Sequence, residues 1–358
     1  MKKIGFVIRL VLGVILLTTV ACEDNDSGPK GEYEKGVFVV NEGNFLDADG
    51  TVSHVNTTSG IVTQDIFGLS NDERALGDVV QSMTIDKDLG FIVVNNSNKM
   101  EVVNVNTFES VYTLSDLAMP RYFITYKGKG YLTEWVSYVD PGHVAIIDLE
   151  SQEVIETITT DDGAENIIEH EGELYVSNSS SNTVSVIDPE EEEVIKTIEV
   201  GNGPGAFVVD AENQLWVICG GGMDEEWNPL NDGKLVRLNP AESDDAVSNS
   251  VTKTIELNMN VMAKAVINKA GNQIFFAKGK SVYTLSTTAT EGPSAALITE
   301  AAVTSFYGIG IDPETDMLYL ADSKAFVGNG EVYRYNTSGT AVDHFSAGRG
   351  PNGFAFRK

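Results

Sequence analysis

Tyr175-Val176-Ser177-Asn178, a short polar loop, Val184-Ser185-Val186-Ile187-Asp188-Pro189, then Val194-Ile195-Lys196-Thr197-Ile198, Val200-Gly201 and Gly203-Pro204: this stretch decides the fold. Its runs are short, rich in β-branched and aromatic residues, and separated by Asn, Gly and Pro, the pattern of strands joined by tight turns. The first run has six counterparts: Phe38-Val39-Val40-Asn41, Ile92-Val93-Val94-Asn95, Tyr131-Leu132-Thr133, Trp216-Val217-Ile218, Phe275-Phe276-Ala277 and Tyr319-Leu320-Ala321. Successive copies end 38 to 59 residues apart.

A second apolar phrase precedes every copy but the first, at 80–85, 121–126, 165–169, 205–210, 264–268 and 306–311. A third follows each copy, clearest at Val102–Val105, Val144–Asp148, Val184–Asp188 and Val332–Tyr335. A unit of about 40–45 residues with four strands is the signature of a propeller blade. The missing first strand is found at the other end, where Gly350-Pro351-Asn352-Gly353-Phe354-Ala355-Phe356 has the form of the second phrase. The expectation is an all-β, seven-bladed β-propeller over 36–358, closed by pairing its last strand with its first blade. Closure removes the exposed sheet edges that invite aggregation.

The segment before the repeats has a different character. Lys2, Lys3 and Arg9 precede an apolar run at 10–17 that ends in Thr18-Thr19-Val20-Ala21-Cys22. A basic start, a short apolar stretch and small residues before a cleavage point read as a signal peptide over 1–21. The Cys after small residues resembles the lipobox of bacterial lipoproteins, which implies lipidation at Cys22. Glu23-Asp24-Asn25-Asp26-Ser27 opens an acidic tether over 22–35 and resembles the Bacteroidota-type signal for the outer cell face. The expected location is the outer membrane, lipid-anchored and facing the cell exterior, with membrane contact only through the anchor. Lipidation of Cys22 leaves Cys219 as the one remaining cysteine, so no disulfide is expected.

The whole chain of 358 residues carries 24 Lys+Arg against 53 Asp+Glu, a net charge of −29. That balance argues against nucleic-acid binding, which depends on cations displacing the counterions of phosphates.

The 175–204 stretch resembles YVTN-type, YncE-like propellers, with Tyr175-Val176-Ser177-Asn178 where that family has its name motif. A wider resemblance covers nearly the whole repeat region. Phe38-Val39-Val40-Asn41-Glu42-Gly43-Asn44-Phe45, Gly77–Met83, Val93–Ser97, Pro120-Arg121-Tyr122, Tyr307-Gly308, Tyr319–Asp322 and Val332–Tyr335 are similar to seven-bladed surface lipoproteins of Bacteroidota. That group includes the BtuG-type proteins, so the resemblance implies capture of a corrinoid (cobalamin) and a TonB-dependent outer-membrane transporter as partner.

In a propeller, the loops after each second strand and those entering the next blade share one face around the channel mouth. The former hold Asn41, Glu42, Asn44, Phe45, Asn95, Asn96, Trp135, Tyr138, Trp227, Asp322 and Phe326; the latter add Arg121, Tyr122, Tyr307 and Arg349. Aromatic rings among amides and a few charges suit a large amphipathic ligand, with rings over its apolar faces and polar groups at its rim. These residues are the candidate ligand-binding set.

Catalytic chemistry finds little footing. His54, His143, His170 and His344 fall in different blades, without metal-ligand spacing or a cysteine cluster, and read as surface or turn histidines. Gly220-Gly221-Gly222 lacks the Lys and helix of a phosphate cradle. Asp224-Glu225-Glu226 lacks the alternating ligands of a calcium loop. The expectation is ligand binding without catalysis, metal or cofactor, the cobalamin being cargo. The alternatives are a scaffold or adhesion propeller for a protein or glycan, and a hydrolase- or lactonase-like propeller with metal-binding carboxylates in the channel.

Overall fold

The computed structural model describes residues 30–222, 226, 228–239 and 250–357. The signal-like segment, Cys22 and Trp227 lie outside the described residues. Seven antiparallel four-stranded sheets stand in a ring, a seven-bladed β-propeller as the repeats require. Six blades are continuous in sequence, at 80–114, 120–162, 164–199, 204–256, 265–299 and 306–346. The remaining blade takes three strands from 37–63 and its innermost strand from Pro351–Phe356. Val37 pairs with Phe356 and Asn41 with Pro351, so the C-terminal strand closes the ring where the sequence lacked a strand. The innermost strands of neighbouring blades pack against one another all the way round.

Each blade is sandwiched between two others, so its middle strands are apolar on both faces. That explains why the diagnostic phrase is a continuous run: Leu174, Tyr175, Val176, Ser177 and Asn178 are all buried. The outermost strand Glu193–Glu199 alternates instead, directing Ile198 inward and its glutamates to solvent. One apolar cluster fills each gap between blades. Tyr175, Val184, Val186 and Ile198 meet Phe207, Leu215, Val217 and Val236 across one gap. Tyr319, Ala321 and Val332 meet Val37, Val39 and Val55 across the gap at the closure.

The innermost strands share an irregularity that sequence periodicity does not reveal. Near the mouth of the channel each loses register with its partner, skipping Gln81 in one blade, Arg121 and Tyr122 in the next, then Glu165 and Asn166, and Gly205 and Ala206. Tyr307 and Asn352 are skipped in the same way. In the remaining blade, pairing begins at Ala265 and leaves Lys264 at that level. A bulged residue is released from the ladder and can be re-aimed. Here the bulges deliver one ring of side chains to the mouth.

The chain enters on the opposite side. Tyr33 is buried against His54 and Phe108, and its N–H donates to the Asn106 carbonyl at 2.9 Å. Lys30 and Arg357 both pair with Asp88, at 3.2 and 3.0 Å, in the hairpin farthest from the mouth of its blade. Both described ends therefore lie away from the mouth.

Ring closure gives the first test. A chain truncated after Arg349 exposes the Val37–Asn41 edge and part of the closing apolar cluster. It should lose its cooperative thermal transition and elute from gel filtration as aggregate; a monomeric truncation with an unchanged melting temperature contradicts the closure.

Candidate functional site

The ring of bulged residues lines a pit of about 450 Å³ at the channel mouth. Gln81, Arg121, Tyr122, Glu165, Asn166, Lys264, Tyr307 and Asn352 come from the innermost strands, and Glu42, Trp135, Ser179, Gly220 and Gly221 from the loops above. Gly205 allows the two blades behind the pit to approach. A Cβ there would sit 2.2 Å from the Ala263 carbonyl oxygen, which instead accepts the Ala206 N–H at 2.8 Å.

The polar groups form two sets. Arg121 makes a two-point ion pair with Glu165 of the next blade, Nε and Nη2 each 2.8 Å from a carboxylate oxygen, and its guanidinium lies 4.2 Å over the Trp135 ring. Burial alone would disfavour the guanidinium charge, but Glu165 more than offsets this and raises the Arg121 pKa. On the other side Tyr307 donates its hydroxyl to Glu42 at 2.8 Å, and Asn352 Nδ2 donates to the same oxygen at 3.3 Å. Lys264 Nζ donates to two backbone carbonyls, Tyr307 at 3.1 Å and Asn352 at 2.8 Å, tying three blades together. Burial pulls the Lys264 pKa down to about 8, against the opposing pull of Glu42 and Glu165. Burial, reinforced by Glu165, pushes Tyr122 up to about 12, and burial beside Glu42 raises Tyr307 as well.

Around this polar pit stands an apolar rim. Phe45, Leu46, Tyr138, Val139, Leu230 and Val327 are 61–86% exposed, on four of the loops that follow second strands. Between two blades a groove of about 480 Å³ adjoins the pit, lined by Ser179, Ser180, Ser181, Asn182, Asn202, Gly203, Gly221, Gly222 and the rim residue Leu230. Ser179, Gly203 and Gly221 belong to both pit and groove.

Of the residues singled out from sequence, Glu42, Arg121, Tyr122, Trp135 and Tyr307 meet in the pit. Phe326 backs this group, its ring 5.3 Å from that of Tyr307. Phe45 and Tyr138 stand on the rim, with Tyr138 6.0 Å from Trp135. Arg349 holds the rim in place, bonding the Phe326 carbonyl and pairing with Asp47 and Asp49. Asn44 engages Asp47 within its own loop, and Asn96 engages Asp78 of the loop that enters the same blade. Asn41, Asn95 and Asp322 are buried beneath the loops. Asn41 accepts from the Gly348 N–H, Asn95 donates to the Pro120 carbonyl, and Asp322 accepts from the Thr304 N–H. They position the site rather than line it. Gln81, Glu165, Asn166, Lys264 and Asn352 were not among the sequence candidates, although each stands at or beside the start of the phrase that becomes an innermost strand.

The histidines divide. His143, against Glu134, and His344, 2.7 Å from Glu331, reach solvent, but His54 and His170 are buried and are not surface positions. Burial lowers the His54 pKa to about 4, so it packs as a neutral ring. Cys219 is also buried, its thiol pushed up to about 12 by burial. Among the described residues no three His, Cys, Asp or Glu side chains gather as metal ligands.

Residues 35–350 match one family, described as a domain of unknown function, DUF5074. The chain belongs to the DUF5074 family. No curated protein matches its sequence significantly. Among solved structures, this DUF5074 propeller is similar to a quinonprotein alcohol dehydrogenase-like protein from Bacteroides thetaiotaomicron. The TM-score is 0.70 at 14% identity, over 92% of this chain and 80% of that one. It is also similar to a putative 6-phosphogluconolactonase from Bacteroides fragilis, with a TM-score of 0.65 at 10% identity, over 90% and 98% of the two chains. A functionally unknown protein from Desulfotomaculum acetoxidans gives 0.66 at 12% identity, over 90% and 98%. At such identities the likeness is one of fold.

Lys264 provides a pH test in this DUF5074 chain. Its folded pKa of about 8 lies below the ordinary lysine value of 10.5, so the unfolded chain holds more protons between those values. Stability contributed by this residue therefore rises as pH climbs through that window, and the cost of burying its charge is fully present below it. Lys264→Met should raise the melting temperature by a few degrees at pH 7 and lose most of that gain by pH 10.5. An equal gain at both pH values would show that charge burial is not the cause.

Proposed function

We propose that this propeller captures an amphipathic ligand of the corrinoid class over the pit, without transforming it, and passes it to a TonB-dependent outer-membrane transporter. The observation that carries the reading is the arrangement of one face: exposed apolar residues on four loops around a polar pit. An exposed apolar patch of this kind marks an interaction surface. A pit of about 450 Å³ is too small to enclose a corrinoid and large enough for one of its arms. The macrocycle would rest on Phe45, Tyr138 and their rim neighbours, with an arm in the pit and amide side chains along the Ser/Asn groove.

The resemblance to BtuG-type surface lipoproteins and the lipobox-like Cys22 supply the rest: lipid anchoring at the outer membrane and exposure on the cell exterior. An anchor at Cys22 precedes Lys30 by eight residues, at most about 29 Å of extended chain. Because Lys30 lies away from the mouth, such an anchor would allow the pit to face outward from the membrane. The acidic balance of the chain argues against nucleic acid as the cargo.

Calorimetric titration of the chain from Glu23 onward with cyanocobalamin tests the reading. We expect a coloured 1:1 complex that survives gel filtration, with affinity reduced about tenfold by a Phe45→Ala/Tyr138→Ala double substitution, in keeping with ~0.5–1.5 kcal/mol per aromatic contact. Absence of heat and colour would overturn the corrinoid assignment and favour a macromolecular partner for the same rim.

A further inference from the structure

Two cations and two carboxylates line the pit, but they are not partnered alike. Glu165 is taken by Arg121, and the bonded oxygen of Glu42 is taken by Tyr307 and Asn352. Lys264 has only neutral acceptors, two backbone carbonyls, with the Tyr307 ring 4.8 Å from its Nζ. Among the described residues no carboxylate lies within ion-pair distance of it. An ammonium carries three N–H donors, and the carbonyls use two. Arg121 likewise spends Nε and Nη2 on Glu165, leaving Nη1 without a bond among the described residues. Lys264 lines both the pit and a smaller chamber of about 180 Å³ that shares Gln81, Tyr122, Asn166 and Asn352 with it, so the ammonium sits where the two cavities meet. Nearby, Trp135 Nε1 and Asn352 Oδ1 are buried without hydrogen-bond partners.

A largely desolvated cation with no carboxylate in direct contact is costly, and an anion that reaches it offsets that cost. We propose that the pit is a carboxylate subsite: it takes a carboxylate borne on a flat apolar group, the oxygens meeting Lys264 Nζ and the free edge of the Arg121 guanidinium, the flat group lying among Tyr122, Trp135 and Tyr307. The inference rests on the reading that this face holds a ligand and names the group that enters the pit. A carboxylate fits better than a phosphate, because one ammonium proton and one guanidinium edge cannot satisfy a dianion while Glu42 and Glu165 stand close by. The surrounding acidity also means that affinity comes from these short contacts and not from long-range attraction. Glu42, Glu165, Arg121, Tyr122 and Tyr307 all face Lys264, and the tyrosines are held neutral by burial. Loss of the Lys264 proton should therefore weaken binding as pH rises past about 8.

The experiment uses matched probes on the whole mature chain: benzoate, benzamide and phenyl phosphate, followed by the Trp135 indole N–H signal in nitrogen-15 correlation spectra, assigned with Trp135→Phe. Benzoate should bind at least tenfold tighter than benzamide at pH 7 and at least as tightly as phenyl phosphate. That preference should fade by pH 10 and vanish in Lys264→Met. Equal binding of benzoate and benzamide overturns the proposal and requires no variant to fold; so does benzoate binding that survives Lys264→Met, and so does a clear preference for phenyl phosphate. Cyanocobalamin binding without benzoate selectivity sinks the subsite and leaves the capture reading standing. Benzoate selectivity without cyanocobalamin binding does the reverse.

Discussion

The pairing of Pro351–Phe356 with Val37–Asn41 is the interaction on which the rest of the molecule depends. It joins the two ends of the repeat array into one sheet and turns an open array with two exposed edges into a ring with none at the closure. The same pairing assembles the site. Asn352 lies within the closing strand and Glu42 follows the strand it pairs with, so two pit residues come from opposite ends of the sequence and are brought together only when the ring shuts. Tyr307 and Lys264 then reach across from the two preceding blades to those same residues. Folding of the ring and formation of the pit are one event.

Convergence on a common axis imposes the second constraint. Strands that pack side by side near the axis have little room for regular ladders of large side chains at the mouth. The register breaks relieve that crowding and release a polar residue from nearly every blade. Polar groups placed there must find partners, because an unpaired buried donor or charge is expensive. Partners are found between blades: Arg121 with Glu165, Tyr307 with Glu42, Ser82 with the Arg121 carbonyl, Thr133 with the Glu165 carbonyl. Apolar clusters thus hold the blades together along their length, and a polar belt holds them at the mouth. Lys264 is the member of that belt least well served, which is why the functional argument converges on it.

The fold was legible because its signal repeats. Seven copies of a short apolar run, and a stray strand at the end of the chain that supplies the one missing at the start, specify blade number and closure without reference to any contact. The site was legible only in part. Aromatic residues and Arg121 stand out in loops because large side chains there call for an explanation, and five of them do gather at or behind the pit. Lys264, Glu165 and Asn352 were hidden because they sit on apolar phrases, where a polar residue looks like an ordinary alternation of a strand. Their convergence depends on bulges, and a bulge is a relation between two strands that composition does not record. Asn41, Asn95 and Asp322 misled in the opposite sense: a polar residue at the end of an apolar run looks available for a ligand, yet each is consumed by the backbone of a neighbouring loop.

On the capture reading, the rim and the pit would divide the work of recognition. Exposed rings such as Phe45 and Tyr138 supply contact area with little directional preference, and area of that kind sets how tightly a ligand is held more than which ligand it is. The pit is the selective part, since its donors and acceptors are fixed by bonds between blades that move little, and a group that leaves one of them unpaired is penalised. Rim residues such as Phe45, Tyr138 and Val139 are exposed and stand outside the inner belt, although Glu42 of the first rim loop belongs to it. A change at Arg121, Glu165 or Asn352 removes bonds between two or three blades at once. On that reading, specificity would reside in the inner belt, where the blades are tied together, and general affinity in the exposed rim.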